Sequence, residues 1–187
     1  MEYKNGTLQK YLDDLGARLP APGGGSAAAL VAACGAGLLS MVVNFTLGKP
    51  AYARYENELR HTLAVSEKLK AEFLNLVDLD VAAYQSKNIK DCLNVPFMLA
   101  RLCYEGMKLC LPLVKKGNKN LASDVAVAAA MLEAAYVSAR FNVDINLKAF
   151  PDKKTARSIR RELDLKEKRV RKIRHDTEVK VGALIRG

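Results

Sequence analysis

The sequence predicts an all-α protein: a bundle of about six helices, several long and antiparallel, in one domain over residues 1–187. Three observations carry this reading. Apolar positions recur at helical spacing through most of the chain. Alanine, the strongest helix former, occurs 26 times in 187 residues. Strand signals are weak throughout, beside abundant helical periodicity. A chain of this length buries roughly 70% of its unfolded surface, and so needs neither disulfide nor metal to fold.

The elements follow in order. Thr7 is placed to cap a short helix with the apolar face Leu8, Tyr11, Leu12 and Leu15. Leu19-Pro20-Ala21-Pro22-Gly23-Gly24-Gly25 then breaks any helix, through prolines without N–H donors and glycines with too much freedom. Ser26 is the expected N-cap of a second helix, Ala27 to about Leu47, apolar on nearly every side and rich in Ala and Gly. That pattern predicts a central helix closely approached by its neighbours. Gly48 and Pro50 are its stop signals.

A long third helix is expected from near Ala51 to about Tyr84, with Leu59, Leu63, Leu69, Phe73, Leu76 and Val77 on its buried stripe. Lys87 to Asn94 reads as a short polar connection. Pro96 suits the first turn of the next helix, which Lys115, Lys116 and Gly117 close. Ser123 is the expected cap of an Ala-rich helix reaching about Leu147, and Phe150-Pro151 punctuates again. From about Lys153, Ile159, Leu163, Val170, Ile173 and Val181 mark an amphipathic, coiled-coil-like helix, its seam interrupted by Lys166 and Thr177.

Composition excludes several classes. No run of 18 consecutive apolar residues is present, so a membrane span is not expected. The N-terminus lacks the basic-then-apolar layout of a signal peptide. Cys34, Cys92, Cys103 and Cys110 form no ligand pattern, and His61 and His175 are the only histidines. A multi-histidine metal site and a Ser-His-Asp triad are therefore disfavoured, and reduced cysteines point to a cytoplasmic protein. Of the net charge of +10, residues 151–187 hold +7 and residues 1–150 only +3. The basic residues of the last segment interleave with Asp152, Glu162, Asp164, Glu167, Asp176 and Glu178. That is the mark of a solvated face, and nucleic acid is not an expected partner.

Asp80 is the most informative single residue. It follows Leu76 by four and Phe73 by seven, which puts a carboxylate on the apolar stripe, while Asp78 lies about 200° round the helix. A carboxylate there is costly unless compensated, so it is either bonded to a neighbouring helix or functional. Gly23-Gly24-Gly25-Ser26 opens the central helix and offers N–H groups that suit an anion, although a tight turn for close packing explains it equally well. Lys119, Asn120 and Asp124 stand at another helix start, as loop polar groups or as contacts for an acidic ligand. Asn142 and Asn146, four apart, are interhelical hydrogen bonders or ligand readers.

Together these segments resemble the cyclodeaminase/cyclohydrolase family. The resemblance runs through Leu19 to Leu30, Asn44-Phe45-Thr46-Leu47-Gly48-Lys49, Val77-Asp78-Leu79-Asp80 and Val95-Pro96. It continues in Gly117-Asn118-Lys119-Asn120, Ser123-Asp124 and Phe141 to Leu147. It implies an all-α homodimer that acts on one-carbon tetrahydrofolates, with no metal and no cofactor beyond the folate substrate. The implied activity is methenyltetrahydrofolate cyclohydrolase or formimidoyltetrahydrofolate cyclodeaminase. Asp80 matches the family's catalytic aspartate, which would stabilise a cationic one-carbon centre and handle its proton. Gly23, Gly24, Gly25, Ser26, Asn120, Asp124 and Asn142 match its other site-forming motifs. The folate's glutamate tail is anionic, so Lys119 or the glycine-loop N–H groups are the candidate anchors for it.

The chain departs from that pattern at Val81 and Tyr84, where the family carries Ala and Phe, and in a short Tyr84–Val95 segment. A shortened wall beside Asp80 implies an opened pocket, an altered substrate or a member that has lost activity. The competing reading is a folate-binding or structural helical protein of the same fold without turnover.

Overall fold

A computed structural model describes residues 2–187. Six α-helices and two short 3-10 turns follow one another, with no strand among the described residues. The helices are α1 (Leu8–Gly16), α2 (Gly24–Asn44), α3 (Glu56–Ser86), α4 (Ile89–Lys116), α5 (Ala122–Ala149) and α6 (Lys153–Arg186). Helices α2 to α5 form an up-and-down bundle in which α2 packs between α3 and α5, and α4 closes the ring. Helix α6 lies across α5 and α4.

The Ala- and Gly-rich face of α2 makes close packing possible. A Cβ at Gly35 would sit 3.1 Å from Leu132 Cγ and 3.3 Å from the Ala128 carbonyl oxygen of α5. Ala29, Ala32, Ala36, Leu39, Val42 and Val43 are fully buried, so α2 is the central helix that its composition predicts. Helix α2 and the stretch Lys119–Ala149 are long and apolar enough to cross a membrane by length and composition alone. In this fold α2 gives most of that apolar surface to the core.

Several boundaries differ from the sequence expectation. Helix α2 begins at Gly24 with Gly23 as its N-cap, so Ser26 lies inside the first turn, buried, and caps nothing. Pro50–Tyr55 forms a 3-10 turn, and α3 starts only at Glu56. The expected connection over 87–94 shrinks to Lys87 and Asn88, with Lys87 left-handed (φ 55°) and the Asn88 side chain capping α4. Pro96 therefore sits inside α4 and not in its first turn. Ser123 is exposed in the first turn of α5, whose start has no side-chain cap.

The seam of α6 is covered within the chain. Ala156, Ile159, Leu163, Val170 and Val181 are buried, and the Tyr136 hydroxyl of α5 donates to the Leu163 carbonyl at 2.7 Å. Thr177 does not interrupt this seam: it is buried, its hydroxyl bonded to the Ile173 carbonyl at 2.7 Å. Arg101–Glu162, Arg140–Asp164 and Arg174–Glu133 pairs fasten the helix from outside. Of the last segment's own basic groups, Arg160, Lys166, Arg171, Lys172 and Arg174 have acidic partners.

Candidate functional site

Asp80 lies two turns before the end of α3 and reaches the first turn of α2. Its Oδ2 accepts the Ser26 backbone N–H at 2.9 Å. The N-terminal turn of a helix favours an anion, and here the chain's own carboxylate occupies that position. The approach is close enough to dictate a residue. A Cβ at Gly25 would lie 2.7 Å from Asp80 Cγ and 2.9 Å from Oδ2, with Oδ1 nearer still. Only glycine leaves that space, whereas nothing stands within 4 Å of a Cβ at Gly24.

Asp80 is half-buried, more exposed than its place on the stripe suggests. Burial raises its carboxyl above the ordinary aspartate value, and the Ser26 N–H opposes that shift. Ser26 is itself tied in place: its hydroxyl donates to the Val77 carbonyl at 3.0 Å and accepts from the buried Tyr11 hydroxyl at 3.2 Å. Tyr11 belongs to α1, so the N-terminal helix braces the site from behind. Asp78 faces elsewhere and accepts the Tyr3 backbone N–H, holding down the chain start.

The carboxylate opens onto a cleft of about 390 Å³. Its walls are Pro20, Ala21 and Gly23 to Gly25 from the loop, Ala83 and Tyr84 from α3, Cys92 from α4, and Asn142, Ile145 and Asn146 from α5. No lysine, arginine or histidine lines it. A cleft of similar size, about 420 Å³, lies between Arg140, Asp164, Glu167, Lys168 and Arg171, but Arg140 and Arg171 there are bonded to the acidic neighbours.

Asn146 holds one wall together for a local reason. Pro96 has no N–H to give the Cys92 carbonyl one turn earlier. The Asn146 amide supplies the missing donor at 2.7 Å and also bonds the Asn142 carbonyl at 2.8 Å. The Cys92 thiol meanwhile donates to the Ala83 carbonyl at 3.2 Å, closing α4 onto α3. The short segment after Tyr84 forms this wall, and Tyr84 itself stands 58% exposed at the mouth.

Of the residues singled out from sequence, Asp80, Gly23, Gly24, Gly25 and Asn142 share the cleft, with Ser26 bonded behind it. Lys119, Asn120 and Asp124 do not. They stand where α2 ends, near Thr46, whose hydroxyl accepts the Asn118 N–H at 2.9 Å. The 21 residues of α2 separate the two ends by about 30 Å. Tyr11, Cys92 and Ile145 escaped the sequence reading. A buried brace or an apolar wall residue carries no spacing signal. Among the described residues, no group of three or more His, Cys, Asp or Glu side chains is placed to hold a metal.

Comparison with known proteins agrees with this geometry. A model of the formiminotransferase-cyclodeaminase family matches residues 7–88 and 85–165. The methenyltetrahydrofolate cyclohydrolase of Methylorubrum extorquens is 34% identical, over 86% of this chain and 88% of its own length. The formimidoyltransferase-cyclodeaminase of Rattus norvegicus is 31% identical over 78% of this chain, which spans only 31% of that longer protein. The crystal structure of formiminotetrahydrofolate cyclodeaminase from Thermotoga maritima superposes with a TM-score of 0.94 at 26% identity, covering 98% of this chain and all of that one. By sequence and fold together, the chain belongs to the formiminotransferase-cyclodeaminase family.

Proposed function

We propose that the protein is a one-carbon tetrahydrofolate enzyme that hydrolyses a methenyltetrahydrofolate at the Asp80 cleft. One observation carries the reading: a half-buried carboxylate held by a single backbone N–H in a cleft without a cationic lining residue. Such a site is matched to a cation. N5,N10-methenyltetrahydrofolate is an amidinium whose bridging carbon is attacked by water. The Asp80 carboxylate stabilises that charge and accepts one proton of the water as the C–O bond forms; collapse of the adduct then breaks the N5–C bond, the hydroxyl proton passing to N5, and leaves the N10-formyl product. A carboxyl raised toward neutrality by burial is a better base for this step than an exposed one.

A second reading is favoured by the Thermotoga maritima neighbour. In the cyclodeaminase direction, N10 attacks the formimino carbon on N5 and ammonia departs, through the same kind of cationic centre. One aspartate serves both reactions. Homodimerisation and a cytoplasmic setting belong to the same proposal, with no cofactor other than the folate.

The test offers both folates to one preparation, following loss of the methenyl absorbance and release of ammonia. Methenyl consumption faster than the buffer rate supports hydrolysis, and ammonia release supports deamination. Folate binding without either would make the chain a binding protein of this fold.

A further inference from the structure

Among the described residues, the Asp80 carboxylate has one hydrogen-bond donor, the Ser26 N–H at 2.9 Å. That donor sits in a turn with little stiffness of its own. Gly23, Gly24 and Gly25 precede it, and Gly23 caps α2 without a side-chain bond. What fixes Ser26 is its own fully buried hydroxyl, shared between two other helices. It donates to the Val77 carbonyl of α3 at 3.0 Å and accepts from the Tyr11 hydroxyl of α1 at 3.2 Å.

A serine hydroxyl has one hydrogen to place. The Tyr11 phenol is buried, and Ser26 is its one hydrogen-bond partner among the described residues. By donating to Ser26 Oγ it leaves the serine hydrogen for Val77, so both bonds have a set direction. Burial first, and the Asp80 charge second, raise the phenol above its ordinary value, so it stays a protonated donor. Tyr11 is held in turn by the chain start. Its ring meets that of Tyr3 edge-on, with centroids 5.4 Å apart. Tyr3 gives its backbone N–H to Asp78 at 2.6 Å and its hydroxyl to Asp14 of α1 at 2.9 Å. The N-terminal segment is thus fastened to α3 at Asp78 and reaches Asp80 by way of Ser26.

We propose that Tyr11 is a positioning residue for Asp80: its hydroxyl sets Ser26, and the Ser26 N–H sets the carboxylate. Tyr11 stands behind the cleft and acts only through the serine. The effect on turnover rests on the folate reading, whereas the link among the three residues holds without any substrate. Without the phenol hydrogen the Ser26 turn loosens and its N–H bond to Asp80 weakens. The carboxyl then loses part of what opposes burial, and its value rises further. The other titratable groups lining the cleft are Tyr84 on α3 and Cys92 on α4, while α2 and α5 contribute none.

Tyr11→Phe keeps the ring and removes the hydroxyl. Carbon-13 NMR of the full chain, with labelled aspartate carboxyls and Asp80→Asn for assignment, follows the Asp80 titration directly. We expect its midpoint to rise by about half a pH unit in Tyr11→Phe. Ser26→Ala removes the same bond from the other side and should raise it at least as much, which keeps the test decisive if Tyr11→Phe folds poorly. Tyr3→Phe loses the Asp14 bond but not the Ser26 one, and should leave both titration and turnover unchanged. With methenyltetrahydrofolate, Tyr11→Phe should lower kcat roughly five- to tenfold with KM within about twofold, and move the acid limb upward with Asp80. In a Ser26→Ala background the same substitution should cost nothing more, because its route is already cut. An unmoved Asp80 midpoint, equal slowing by Tyr3→Phe, or a further loss on top of Ser26→Ala overturns the proposal. A wild type that consumes neither folate removes the folate reading instead, and the Asp80 titration still decides the link to Tyr11.

Discussion

Gly25 and Asp80 are packed so tightly that a single methyl group between them would overlap the carboxylate. The ideal Cβ position at Gly25 lies 2.7 Å from Asp80 Cγ and 2.9 Å from Oδ2. The contact brings the first turn of α2 against α3, and so sets the direction of the carboxylate that opens onto the cleft. Gly25→Ala must therefore move the aspartate or lift the turn. We expect the Ser26 N–H bond to be lost, activity to fall about 100-fold and stability to drop by about 1–3 kcal/mol. Gly24→Ala, with open space round its Cβ, should leave the melting temperature unchanged or slightly higher. Thermal melts of the pair separate packing from mere helix propensity.

Gly35 marks a close approach of α2 and α5, with backbone as well as side-chain atoms near its missing Cβ. Gly35→Leu has nowhere to go unless the two helices part. A loss of about 3 kcal/mol or more is expected by chemical denaturation. Wild-type stability in that variant would show that the helices are not held at this spacing.

Glu162 ties α6 to α4 through Arg101, and is reached by Lys166 on its own helix. Those partners hold its carboxyl at about 2, well below the ordinary value of 4.5. A carboxyl lowered by folding stabilises the native state above about pH 4.5, and that contribution is lost as pH falls toward 2. Glu162→Gln should thus lower the melting temperature at pH 7 by a few degrees at most, because the pair is partly solvated. The gap to wild type should close progressively between pH 4.5 and pH 2. A gap constant across that range would give the effect to packing.

Much of this was legible in the residues. The apolar, alanine-rich α2 and the glycine loop lie where spacing and composition put them, and Asp80 is on the expected stripe but more exposed than that stripe suggests. The caps were less legible. Gly23 takes the position that Ser26 was expected to hold, because the buried Tyr11 and Val77 claim the serine hydroxyl, and such long-range partners leave no local pattern. Pro96 read as a helix start because its cost inside a helix is large. That cost is met by Asn146, 54 residues from the carbonyl it satisfies. The separation of Lys119 from Asp80 was invisible for another reason. Motifs adjacent in an argument about chemistry need not be adjacent in one chain, and only the antiparallel course of α2 and α5 puts them at opposite ends.

The central claim is that Asp80 works as an ionised base beside a cationic carbon, and Asp80→Asn tests it most directly. Asparagine keeps the size and an acceptor for the Ser26 N–H but removes the charge. Since burial raises the carboxyl above its ordinary value, ionisation costs the native state stability at neutral pH, and the variant should melt at or slightly above wild type. Any such advantage should shrink as pH falls through the raised value of Asp80 toward the unfolded aspartate value of about 4, where the wild-type group is protonated as well. Asp78→Asn, which can still accept the Tyr3 N–H, is the control and should keep its activity. The measurement is turnover of the accepted folate at saturating concentration, wild type against Asp80→Asn. A fall of roughly 100- to 10,000-fold with the fold intact is the predicted result. Undiminished turnover by Asp80→Asn would contradict the account.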